Sequence, residues 1–217
     1  MHIPDGPLSV SAVGIGILGA GAALAAAGTA WGLRRLDYER VPQVALLSAA
    51  FFVASLIHVP LGGASVHLVL NGLMGLVLGW AAFPAILIAL TLQAVFFPGL
   101  GGFTTLGVNT LVMALPAVAS YAMFHRMARS AGQTAALVAG FAAGSLAVLF
   151  GAVLLAAVLA AVGKEFERLA QAVLLAHIPV AIVEGLVTSS AVLFLRKVRP
   201  ELLDAPWGPA AWETSDA

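Results

Sequence analysis

Residues 134–162 read TAALVAGFAAGSLAVLFGAVLLAAVLAAV, an apolar run without one charged side chain. A helix needs about 20 apolar residues to cross a bilayer, and this run exceeds that length. In lipid a helix satisfies its own backbone polar groups, so the stretch reads as a membrane-spanning α-helix. Six further apolar runs flank it. Before it lie 8–33, 44–58, 65 to about 80, 83–97, and 106 to about 124; after it lies 170–195. The second run closes on Pro60-Leu61-Gly62-Gly63, a turn signal. The boundary between the third and fourth, Gly79-Trp80-Ala81-Ala82, is the shortest break. The sequence predicts an all-α polytopic membrane bundle of about seven transmembrane helices. Residues 1–199 are expected to form one transmembrane domain and 200–217 a polar cytoplasmic tail.

Composition agrees. The 217 residues are 61% hydrophobic and 9% charged, with mean hydropathy +1.04. Soluble domains run near 25% charged. There is no cysteine, so disulfides and thiolate metal sites are excluded and any metal site must use nitrogen and oxygen. Net charge is zero, which argues against nucleic acid as a partner. The first residues lack a positive n-region, so the amino terminus is read as retained. No Gly-x-x-x-x-Gly-Lys-Ser/Thr loop is present, so the chain has no ATPase motif of its own.

Arg34, Arg35, Arg40, Arg126, Arg129, Arg196, Lys197 and Arg199 follow the first, fifth and seventh runs, and only Lys164 and Arg168 fall on the other side. The positive-inside rule then places the carboxyl terminus in the cytoplasm and Met1 outside. In the first helix Ala22, Ala26 and Ala30, and likewise Gly21 and Ala25, recur every fourth residue. Such ridges let helices approach closely, within the chain or against another membrane subunit.

The chain opens Met1-His2-Ile3-Pro4-Asp5-Gly6. The α-amine of Met1 and the amide and imidazole nitrogens of His2 can close on one cation. Three nitrogens in one plane suit a square-planar ion, and a fourth ligand must come from elsewhere. His67, near the same membrane surface, is the leading candidate, and His58 is its rival. Asn71, four residues beyond His67 on one helix, is placed to orient a ligand. Thr105 and Asn109 flank the start of the fifth helix, after a Gly-rich 99–105 loop that could close over the site. Glu184 is expected to hold a structural hydrogen bond, with proton relay or metal pathway as other roles alongside His177. Gln93 is read as a helix-to-helix hydrogen bond and His125 as a surface residue.

These motifs resemble the CbiM/NikM family, the substrate-specific membrane components of energy-coupling-factor ABC transporters for nickel and cobalt. The opening six residues, Pro60 through His67, Gly101-Gly102-Phe103-Thr104-Thr105-Leu106-Gly107-Val108-Asn109, and His177-Ile178-Pro179 with Glu184-Gly185 match its motifs in order. The resemblance spans residues 1 to about 199. It implies a metal held by Met1, His2 and His67, with His58, Asn71, Thr105 and Asn109 around it. Many members carry Asn-Phe-Pro where this chain has His58-Val59-Pro60. It further implies capture and uptake of Ni²⁺ or Co²⁺ as a multi-pass protein of the cell (inner) membrane, with no tightly bound cofactor. The implied partners are a transmembrane coupling protein, ATPase subunits and a small accessory membrane subunit. Two other readings compete with it: a self-sufficient proton-coupled metal carrier using Glu184, and an intramembrane hydrolase using Ser145 or Ser120 with His177.

Overall fold

The computed structural model describes Ile3 and residues 7–9, 11–61, 64–97, 102–130 and 132–203. The helices run in order as α1 (Ala12–Arg34), α2 (Val41–Ser55), α3 (Asn71–Leu78), α4 (Ala82–Phe96), α5 (Leu106–Ser130), α6 (Gln133–Val162) and α7 (Glu167–Val198). Between α2 and α3 lies an antiparallel hairpin of β1 (His58–Leu61) and β2 (Ala64–His67). Among the described residues five stretches are long and apolar enough to cross a membrane: Ala12–Arg34, Asn71–Phe96, Leu106–Arg129, Gln133–Val162 and Lys164–Val198.

The third apolar run departs from expectation. Its first residues are strand and extended chain, and the helix starts only at Asn71. A short apolar run rich in Val and bounded by glycines fits a buried strand as well as a helix. Leu70, just before α3, has φ 54°. That left-handed conformation costs a bulky residue of order 1–3 kcal/mol and persists only when its surroundings impose it. The α3 helix ends at Gly79, also at positive φ, and a 3-10 turn over Gly79–Ala81 leads to α4.

Small residues set the packing. In α1, a Cβ at Gly21 would reach within 2.4 Å of the Val108 side chain and one at Gly32 within 2.5 Å of the Trp80 carbonyl oxygen. Gly21 and Ala25 are buried, whereas Ala22, Ala26 and Ala30 are exposed. Of the two ridges in α1, one is used inside the chain; the side chains of the other face outward, although the backbone of Ala22 packs on Gly107 of α5. Gly75 of α3 sits against the backbone of Ala117 in α5, and Gly144 of α6 against the Glu184 carbonyl in α7.

Polar side chains tie helices together. Gln93 of α4 donates from Nε2 to Ser55 Oγ at the end of α2, as expected of a helix-to-helix bond. Ser145 of α6 donates to the Ala181 carbonyl of α7 at 2.9 Å, and Ser120 of α5 to the Ala143 carbonyl of α6 at 3.2 Å. His125, expected at the surface, is buried and packs on Tyr121 with ring centroids 4.7 Å apart. The end of α7 closes that region, because Arg196 donates to the Ala128 carbonyl. Beyond α7, Pro200–Leu203 forms a 3-10 turn whose Leu203 is buried.

Candidate metal centre

Ile3 marks where the amino-terminal segment enters the bundle. It is completely buried. Its N–H donates to Asn109 Oδ1 at 2.9 Å, and Asn109 Nδ2 donates back to the Ile3 carbonyl at 3.1 Å. Thr105 Oγ1 donates to the same carbonyl at 2.8 Å. Asn109 Nδ2 also reaches Thr105 Oγ1 at 3.2 Å, so the two side chains brace each other across one turn of α5. An amide side chain that pairs with both backbone groups of one residue acts like a strand edge: it fixes position and direction together. Met1 and His2 lie outside the described residues, as do residues 98–101 of the expected closing loop.

His67 ends β2 and is buried. Its Nδ1 lies 2.6 Å from the Leu68 carbonyl oxygen, which makes Nδ1 the N–H and leaves the lone pair on Nε2. Phe51 of α2 packs edge-on against the ring, at 6.2 Å between centroids. The imidazole is thus held in one tautomer and one orientation, the condition for a predefined metal ligand. In the hairpin register His58 lies directly opposite His67.

Asn71 does not share a helix with His67, because the strand and Leu70 separate them. It is completely buried and works further inside. Its Nδ2 points to the carbonyls of Met113 in α5 and Ala147 in α6, at 3.5 and 3.4 Å, and its Oδ1 accepts from Gly72 N–H at 3.0 Å. Asn71 therefore links three helices, and the ligand-orienting role expected of it has no support in these bonds.

Glu184 holds the segment between His67 and α3. Its Oε1 accepts from the backbone N–H of Val69, and its Oε1 and Oε2 accept from Leu70 N–H at 2.9 and 3.1 Å. These bonds pin the left-handed Leu70 and place a carboxyl group at the amino end of α3, where the helix dipole favours negative charge. This is the structural role expected for Glu184. Sequence reading missed both Ile3 and Phe51: their contributions are a backbone and a ring face, and neither carries a chemical signature. Among the described residues no three His, Asp or Glu side chains gather closely enough to hold an ion.

The chain matches, over residues 2–202, the family described as the cobalt uptake substrate-specific transmembrane region, CbiM. It belongs to the CbiM family. A Haemophilus influenzae relative described as a metal transport protein is 46% identical, covering 94% of this chain and 97% of that one. The fused nickel transport protein NikMN of Rhodobacter capsulatus is 36% identical over 98% of this chain and 67% of its own. Among solved structures, a truncated transition metal transporter superposes with TM-score 0.72 at 26% identity, covering 91% of this chain and 99% of that one. The chain is thus a multi-pass membrane component of the cobalt and nickel transport family. Within this CbiM-family chain, Asn109 and Thr105 hold the Ile3 backbone and Glu184 holds the segment that follows His67.

Proposed function

We propose that this CbiM-family chain is the high-affinity capture subunit for Ni²⁺ or Co²⁺ in an energy-coupling-factor transporter. The ion is held by the Met1 amine, the His2 amide and imidazole nitrogens, and the imidazole of His67. The observation that carries this reading is the clamp on Ile3. Three hydrogen bonds, two donated by Thr105 and Asn109 and one accepted by Asn109, anchor the residue next to His2 inside the bundle. Because each residue spans at most about 3.6 Å, Met1 and His2 are confined to the neighbourhood of that anchor. A terminal segment held only for packing would not need both backbone groups of Ile3 read by one side chain.

The reading takes the chain to cross the membrane seven times, two more than the five long apolar stretches among the described residues. Trp80 meets Gly32 near the end of α1, and Gln93 meets Ser55 at the end of α2. On this reading the 3-10 turn at Gly79–Ala81 divides the Asn71–Phe96 stretch into two passages, α3 and α4. With seven passages the two termini lie on opposite sides, and the Arg and Lys distribution puts Met1 outside and the tail inside. The domain then runs through about residue 199, with residues from 200 as its cytoplasmic extension. No ATPase motif is present, so energy comes from partner ATPases through a coupling protein. The outward Ala22–Ala26–Ala30 ridge offers that membrane partner a close-packing surface, and the chain acts as a transporter subunit rather than an enzyme.

The observed bonds weigh against both other readings. Glu184, which a proton-coupled carrier would load and unload, is occupied by two backbone amides. Ser120 and Ser145, which a hydrolase would use, donate to carbonyls of neighbouring helices.

Titration of the purified chain with nickel tests the reading. His67→Ala is expected to weaken binding at least about tenfold; wild-type affinity in that variant would transfer the fourth nitrogen to His58. Binding should also fall with acid. An α-amine ordinarily titrates near 8 and an imidazole near 6.5, and each must lose its proton to ligate. Affinity is therefore expected to drop as pH falls below about 8 and to drop more steeply below about 6.5. Affinity independent of pH between about 8 and 5.5 would overturn nitrogen chelation.

A further inference from the structure

His177 of α7 carries an imidazole that the site described so far does not use. It is completely buried. Its Nδ1 lies 2.6 Å from the Val173 carbonyl oxygen one turn earlier, so Nδ1 is the N–H and Nε2 holds the lone pair. That Nε2 is buried and meets no hydrogen-bond partner among the described residues. Leaving an acceptor unsatisfied in the interior opposes folding, and an apolar side chain of similar size would avoid it. A buried imidazole with one N–H on a backbone carbonyl and the other nitrogen bare is the arrangement of a metal ligand awaiting its ion. His67 likewise has its Nδ1 on a backbone carbonyl, that of Leu68.

Position supports the same conclusion. His177 lies seven residues before Glu184, two helical turns along the same face of α7. Glu184 marks the level of Val69 and Leu70, and α7 also touches both strands of the hairpin that ends at His67. Across the bundle, Asn109 lies one turn before Met113, whose carbonyl marks the level of Asn71. His177 and the Ile3 anchor are therefore displaced toward the same end of the bundle from the α3 start, the end that holds the hairpin.

We propose that His177 is a metal-ligating residue: its Nε2 binds the transported cation at the hairpin end of the bundle, as a nitrogen additional to those of Met1, His2 and His67. Imidazole suits nickel and cobalt alike. The proposal rests on the capture reading above.

The test uses the full chain in detergent, nickel alone as titrant, and Cu(II) as a spectroscopic probe. His177→Gln is expected to raise the nickel dissociation constant about tenfold or more. It should also remove one imidazole from those coupled to Cu(II) in pulsed electron paramagnetic resonance, while the metal-free melting temperature stays at or above wild type. His177→Leu carries the same readouts if the glutamine variant does not fold. A His177→Gln chain with wild-type nickel affinity and an unchanged imidazole count would overturn this proposal and leave the capture reading standing. A wild-type chain that binds no nickel would overturn both.

Discussion

A chain whose α-amine is acetylated is expected to bind nickel at least about a hundredfold more weakly than the free chain, a loss of about 2.7 kcal/mol. In the proposed chelate the amine is one of three nitrogens that reach the ion through fused rings. Acetylation turns it into an amide that cannot ligate without losing a further proton, and the ring it closes is lost with it. His2→Ala removes the imidazole at the other end and is expected to act as strongly. The effect should be confined to the metal. Ile3 remains clamped by Asn109 and Thr105, so melting of the metal-free protein should not move. Calorimetric titration of the two forms decides the matter, and equal affinities would remove the terminal amine from the site.

Glu184→Ala is expected to be the most damaging single change to the fold. The carboxyl group accepts from the N–H of Val69 and of Leu70, and both donors would be left without it. Each unsatisfied buried donor costs about 1–3 kcal/mol, so a loss on the order of 4 kcal/mol is expected. The left-handed Leu70 would lose its restraint as well, and with it the link between β2 and α3. Glu184→Gln keeps one acceptor oxygen but turns an NH2 group toward the same amides, and should recover only part of the loss. Thermal melting in detergent without metal measures this. Because the damage lies behind His67, both variants should also weaken nickel binding. A Glu184→Ala chain with wild-type melting would show that the two amides find other partners.

Much of the helical architecture is legible in the sequence because lipid imposes a simple code. Long uncharged runs such as 134–162 have no other stable outcome, and the bounds read from them fall within a few residues of α1, α6 and α7. The hairpin escaped that code. The stretch Ser65-Val66-His67-Leu68-Val69-Leu70 is apolar without period, and hydropathy cannot tell its strand from a helix. Glu184 could be recognised as a structural group, but not its partners, which are backbone amides 114 and 115 residues away. Backbone groups are present at every position, so no residue type announces them. The same holds for Asn109: its place after a Gly-rich loop drew notice, yet the atoms it binds belong to the main chain of Ile3. The arginines beside His125 suggest a surface position, whereas Tyr121 and the end of α7 close over it.

The clamp on Ile3 can be seen as a ruler. Asn109 and Thr105 touch only the N–H and carbonyl at position 3, so they are indifferent to which side chain stands there. Burial restricts that side chain to something apolar and of fitting size, and nothing more. Under the proposed chelate, what the clamp measures is length, the two residues between the anchored peptide and the amine. Position 3 is thus free to drift among aliphatic residues, while a single residue gained or lost ahead of it displaces the amine by the span of one peptide unit. If the amine is the ligand proposed, the terminus is specified by counting rather than by spelling, and selection on this segment should tolerate substitutions at position 3 far more readily than changes of length.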